Sequence, residues 1–161
     1  MSGCHNSPMQ TPRVRIQTAD FDVGAEVDAL RAATVGAIAA FVGTVRERGD
    51  ASAASRTSRL ELEHYPGMTE RAIESMIDAA HSRFEIEAAR VIHRVGVLEL
   101  MDRIVLVVVA SAHRGQAFSA CEFLMDYLKT RAPFWKKEKT PEGGRWVDAR
   151  TTDDAAADRW S

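Results

Sequence analysis

Cysteine is scarce: Cys4 and Cys121 are the only two in 161 residues. That leaves no material for a disulfide framework. There is no CxxC, no HExxH and no clustered Cys/His set, which argues against structural zinc. Long apolar runs are missing as well. The longest, IVLVVVA at 104–110, falls far short of the roughly 20 residues a membrane helix needs. The opening residues, MSGCHNSPMQTPR, lack the apolar stretch of a secretory signal. Neither charge sign dominates: the net charge is −2 and the pI about 6.2, whereas a general nucleic-acid binder is usually basic. No GxSxG, P-loop or GxGxxG occurs in a strand–helix setting, and no nucleophile–base–acid triad is legible. RGD at 48–50 is a three-letter coincidence in a loop. The expectation is a cytoplasmic protein with a mobile arm over 1–12 and one domain over 13–161. That length suffices to bury a core.

Lysine is scarcer than the charge count suggests. Seventeen of the 21 basic residues are arginine, and the four lysines (Lys129, Lys136, Lys137 and Lys139) fall within eleven residues. Chance placement is one reading. The other is that an amine is required there, because an ammonium can lose its proton whereas a guanidinium stays charged. Composition alone leaves both open. The stretch 129–150 carries a charge of +4 and the rest of the chain −6. Such segregation points to a local receptor for anions.

Periodicity outlines the elements. RVRIQTA (13–19) alternates and predicts a strand. Asp20 or Asp22 caps a short helix over 25–33. VGAIAAFVGTVRE (35–47) predicts a buried strand, 48–58 a flexible loop, and RLELEHY (59–65) a half-buried strand. Ile73, Met76, Ile77, Ala80 and Phe84 then follow helical spacing, with Thr69 as N-cap or in the first turn. A strand-like segment over 89–100 is broken at Gly96, and 101–112 predicts a turn and a central strand. A second amphipathic helix over 115–132 places Phe118, Cys121, Leu124, Met125 and Leu128 on one face and stops at Pro133. FWKKEK and GRWVDA predict short strands joined by TPEGG, and the acidic tail a marginal helix. Helices mixed with consecutive strands favour an α+β fold.

Polar groups concentrate at Gly43–Arg46, at Ser111–Gly115, at Lys129 and over Pro133–Glu138. The second segment opens a helix, whose free N–H groups suit an anion. Plainer explanations stand beside each. An isolated loop arginine such as Arg46 or Arg114 is usually a surface residue. His64 and His93 lie in strand patterns and read as structural. Cys121 lies on an apolar helix face and reads as core.

Longer motifs add a resemblance. AFVGTVRERG, LELEHYPGMTERAI, VIHRVGVLELMD, VVVASAHRGQAF and MDYLKTRAPFWKKEKTPEGGRWVDAR together closely resemble the large, catalytic subunit of molybdopterin synthase. The likeness spans residues 13–160. It implies an α/β-hammerhead-type fold with an additional small β subdomain. It also implies a homodimer within a heterotetramer, each protomer binding a small ubiquitin-like sulfur-carrier subunit. The carrier ends in a Gly-Gly thiocarboxylate. Its sulfur passes to cyclic pyranopterin monophosphate, and two transfers build the molybdopterin dithiolene. Neither a cofactor nor a metal is implied.

By the same resemblance, Arg46, His113, Arg114, Lys129 and Lys136 match substrate-pocket positions. Lys129 and then Lys136 are the expected catalytic residues, as acid–base groups or nucleophiles. Thr44, Val45, Lys137 and Glu138 flank the pocket, and Arg150 matches an arginine that reaches into a neighbour's site. Thr44 departs from relatives that carry a basic residue there. Bringing two anions together in a partly dry pocket costs several kcal/mol unless cations surround them. A non-catalytic module for the carrier or a phosphorylated ligand is the alternative, and retention of both Lys129 and Lys136 argues against it. Overall acidity argues against a nucleic-acid module.

Overall fold

The computed structural model describes residues 11–47, 59–140, 143–147 and 151–161. The expected arm, up to residue 10, and the loop at 48–58 lie outside them. The chain runs β1 (Val14–Gln17), α1 (Val23–Ala29), β2 (Ala37–Thr44), β3 (Arg59–His64), α2 (Met68–Arg83), β4 (Ala88–Arg94), β5 (Gly96–Glu99), β6 (Arg103–Ser111), α3 (Arg114–Arg131), β7 (Phe134–Thr140), β8 (Gly143–Val147) and α4 (Thr151–Asp158). This is a mixed α+β fold with two four-stranded sheets, ordered β1-β4-β6-β2 and β5-β3-β7-β8.

The apolar run at 104–110 forms the interior strand β6, between β4 and β2. Alternation divides it between two cores. Val105, Val107 and Val109 join residues of α2 and α3 on one face. Leu106 and Val108 meet Phe21 and the apolar side of α1 on the other. A strand covered on both faces reads as continuously apolar, which is why no polar residue interrupts it.

Asp22 caps α1, its Oδ1 accepting from Ala25 N at 3.0 Å. Glu26 then ties α1 to the sheet, accepting from Arg15 of β1 and from Arg90 of β4 (2.9 Å). Burial opposes ionisation of Glu26, but the two guanidinium groups hold its carboxyl below the ordinary range.

The helix over 68–83 buries Ile73, Met76, Ile77 and Ala80, as its spacing predicts. Gly67 caps it, and Thr69 lies in the first turn. The segment expected as one broken strand over 89–100 is two strands in different sheets. β4 belongs to the first sheet and β5 to the second. Gly96, at φ 87°, makes the switch, a backbone state that a side chain disfavours.

Helix α3 requires one correction. Phe118 was expected in the core but is 66% exposed, and Phe123 is buried instead. Cys121 is core as expected. Burial pushes its thiol up to about 11, with Glu122 adding to the effect, so the sulfur stays protonated and inert. The C-terminal segment clamps α3 from outside. Trp160 Nε1 donates to Asp126 Oδ2 at 2.7 Å, and its ring meets Phe84 and Phe123 edge-on.

Candidate functional site

The strand pairing sorts the expected site residues into two groups at opposite ends of the first sheet. β2 and β4 both run antiparallel to β6, with Gly43 and His93 each opposite Val105. The C-terminal ends of β2 and β4 therefore lie beside the start of β6. Helix α3 follows the end of β6 and packs back against it. Its last turn, carrying Lys129, thus returns to the end where β2 and β4 finish.

At this first end, Thr44 is the last residue of β2 and sits opposite Arg103 after a register shift that bends the strand. Val45 is buried. Its N–H donates to Asp102 C=O at 2.9 Å, and its C=O accepts from Met101 N at 2.8 Å. That pair of bonds hooks the strand end onto the β5–β6 turn and fixes where the exposed Arg46 leaves the sheet. Leu60, Leu62, Leu98 and Val45 form a small core beneath the second sheet.

Lys136 sits in β7 opposite Leu62. It shares a strand face with Phe134, which pairs with His64. Because Leu62 is buried and Phe134 packs on the main core, this is the inward face, and Lys136 is half-buried on it. Lys137 and Glu138 hold the next register positions, opposite Glu61 and Leu60.

His93 lies at the same end as the two lysines. It lies on the α3 face of β4, in step with Val91 and Ala89. Its ring stacks on Phe134 with centroids 3.9 Å apart and planes 19° off parallel. Nδ1 lies 2.8 Å from Arg94 C=O. A carbonyl only accepts, so Nδ1 carries the proton and Nε2 keeps a lone pair. Burial pushes the imidazole down to about 4, and the charges of Lys136, His64 and Lys129 push the same way. His93 is therefore neutral at physiological pH, with the charges of both lysines near enough to act on it. Its place in a strand pattern gave no hint of this. The one sequence signal was its parity with buried residues of β4.

The second end carries His113 and Arg114. Ser111 is buried, its Oγ donating to Glu85 C=O at 2.6 Å and accepting from His113 N at 3.2 Å. His113 occupies the N-cap position of α3 without a side-chain capping bond, so its ring is available to solvent or a ligand. Gly36 holds the turn from the other side, its N–H donating to Ser111 C=O at 3.0 Å. A Cβ on Gly36 would stand 2.3 Å from the Ala112 carbonyl oxygen, so only glycine fits. His113 and Arg114 are both exposed.

Fifteen residues of helix separate Arg114 from Lys129, which is about 22 Å along its axis. A single chain thus brings Arg46, Lys129 and Lys136 to one end of its sheet and His113 and Arg114 to the other. Arg150 lies outside the described residues. Among the described residues, no group of His, Cys, Asp and Glu is arranged to hold a metal ion. No helix there is long and apolar enough to cross a membrane.

Known proteins resemble the chain closely. A molybdopterin synthase catalytic subunit of Ralstonia nicotianae is 60% identical over 151 residues, covering 92% of this chain and 84% of that protein. A solved molybdopterin biosynthesis MoaE protein from Burkholderia ambifaria superposes with a TM-score of 0.77 at 55% identity, over 93% of this chain and 98% of that one. The crystal structure of molybdopterin synthase from Staphylococcus aureus has a TM-score of 0.79 at 27% identity, covering 86% of this chain and 98% of that one. The family model described as MoaE protein matches residues 16–131. With the family model matching most of its length and a relative 60% identical over 151 residues, the chain belongs to the MoaE family of molybdopterin synthase catalytic subunits.

Proposed function

We propose that this chain transfers sulfur from the C-terminal thiocarboxylate of a small ubiquitin-like carrier to cyclic pyranopterin monophosphate, forming the molybdopterin dithiolene. One observation carries the reading: the last turn of α3 with Lys129, and β7 with Lys136 two residues after the Phe134 that stacks on His93, come to the sheet end where Arg46 emerges. Two anions must meet there, and fixed cations lower the cost of the encounter. The amines supply what arginine does not, a group that gives up or takes a proton, or attacks a carbonyl carbon, near neutral pH. The membership of the family supplies the reaction.

His113 and Arg114 complete a pocket only when a second copy brings them to the lysine end. Phe118 supports this, since it lies four residues on from Arg114, on the same side of α3, and is 66% exposed. Strand β2 supports it too, as an edge strand with Phe41 partly exposed. In the dimer, His113 and Arg114 grip the phosphate through charge-assisted bonds, and Lys129 and Lys136 act at the reacting centre. Thr44, Val45, Lys137 and Glu138 border that centre, and Arg150 reaches in from the neighbour. The assembly is a homodimer flanked by two carriers and works in the cytoplasm. Its scaffold is a hammerhead with a small β subdomain formed by the second sheet.

Reconstitution tests both parts. The chain, mixed with thiocarboxylated carrier and the cyclic pterin, is expected to yield dithiolene product; no product with excess carrier overturns the reaction. Mixing Lys129→Ala chains with Arg114→Ala chains tests the shared pocket. Random pairing puts half the dimers in mixed form with one intact site each, so at pterin well below KM, where Arg114→Ala alone keeps about a tenth or less, about a quarter of wild-type activity returns. Mixing with no recovery means each chain works alone.

A further inference from the structure

We infer that Thr69 is a positioning residue that sets the relative placement of Lys129 and Lys136; the inference rests on the proposed role of those lysines. The two amines belong to different elements, α3 and β7, which meet at Ala132–Pro133. One backbone bond closes that joint on itself, Phe134 N donating to Ala132 C=O at 2.9 Å. Proline has no N–H, and Pro133 lies one residue before the first β3–β7 pair, so the ladder does not hold it.

Thr69 ties Pro133 to another part of the fold. Its side chain is fully buried, and its Oγ1 donates to Pro133 C=O at 3.1 Å. The same oxygen accepts from Tyr65 N at 3.1 Å. Tyr65 follows the end of β3, so a single hydroxyl joins the exit of one strand to the entrance of its neighbour. Packing around it follows the same line. The Tyr65 ring meets Trp135 edge-on with centroids 3.9 Å apart, and His93 stacks on Phe134. Lys129 lies four residues before Pro133 and Lys136 three after it, so a shift of that carbonyl swings the two amines relative to each other. Misplacement of a catalytic group by about 1 Å can cost about a hundredfold in rate.

The test compares Thr69→Val, which keeps the shape and removes the hydroxyl, with Thr69→Ser, which keeps the hydroxyl. Dithiolene formation is measured in the reconstituted complex well below the melting temperature, with Lys129→Ala in parallel. For Thr69→Val the expected result is a kcat about tenfold lower, a KM for the pterin within about twofold, and an altered labelling ratio of Lys129 to Lys136 toward an amine-reactive reagent. For Thr69→Ser, kcat and labelling stay within about twofold of wild type. A folded Thr69→Val protein with wild-type kcat and labelling overturns the assignment. If the valine variant does not fold, Thr69→Ala is read the same way, and failure of both makes Thr69 a stability residue and also overturns it. Full activity in Lys129→Ala would instead sink the role given to that lysine, a separate failure.

Discussion

The two ends of the first sheet are built in different ways. His113 and Arg114 sit on one continuous turn, held by Ser111 and by the close approach of Gly36. Arg46, Lys129 and Lys136 arrive on three separate elements, and His93 on a fourth. A one-segment end is a local motif, suited to gripping a phosphate with backbone and side chain together. A four-element end places groups by tertiary packing, which is how Arg46 and His93, far from the lysines in sequence, come to the same end. The contrast predicts that lesions at the His113–Arg114 end strike binding and those at the lysine end strike turnover.

Lys129→Ala is the strongest test of this division. Loss of an acid–base or nucleophilic group typically costs about 10²–10⁴ in rate. We expect kcat for dithiolene formation to fall by at least about a hundredfold, with the melting temperature nearly unchanged because the side chain is exposed. Unchanged turnover would break the comparison at the lysine end. Arg114→Ala should instead raise the KM for the pterin by roughly tenfold or more, the loss of a charge-assisted bond, and leave kcat nearly intact. Equal losses in kcat and kcat/KM would move Arg114 into the chemistry.

Two further changes sharpen the contrast. Gly36→Ala forces its Cβ against the Ala112 carbonyl. It should cost about 1–3 kcal/mol in urea unfolding and raise KM without touching kcat. A drop in kcat alone would show that the two ends are coupled within one chain. At the other end, His93 makes stability depend on pH. Its folded pKa, about 4, lies below the ordinary 6.5. The folded state therefore binds fewer protons than the unfolded one in that window, and stability falls as pH drops from 6.5 towards 4. The loss should reach on the order of 1–3 kcal/mol. His93→Phe preserves a ring on Phe134 and should flatten that slope. An equally steep acid limb in the variant would assign it to other groups.

Much of this was legible beforehand, for physical reasons that differ by element. The buried set Ile73, Met76, Ile77 and Ala80 follows from helical period alone. The interior place of β6 follows from an apolar run with no polar face. Phe118 was misassigned because spacing identifies a stripe but not its rim. The buried side of the helix runs through Ala117, Ala120, Cys121 and Leu124, which turns Phe118 outward. Gly96 was visible as a break, but a break does not say that the chain changes sheets. Among site residues, SAHR announced itself as a strand-to-helix turn. Nothing local to His93 or Thr69 did so, because each acquires its role from partners outside its own element.

The amino-acid order by itself determined the α+β class, most elements, the core identity of Cys121 and the family, since all of these rest on short-range periodicity or on long ordered motifs. Only the tertiary structure decided which cations share an end of the sheet. Strand direction and the length of α3 settle that question, and a helix holds its two termini about 22 Å apart whatever charges they carry.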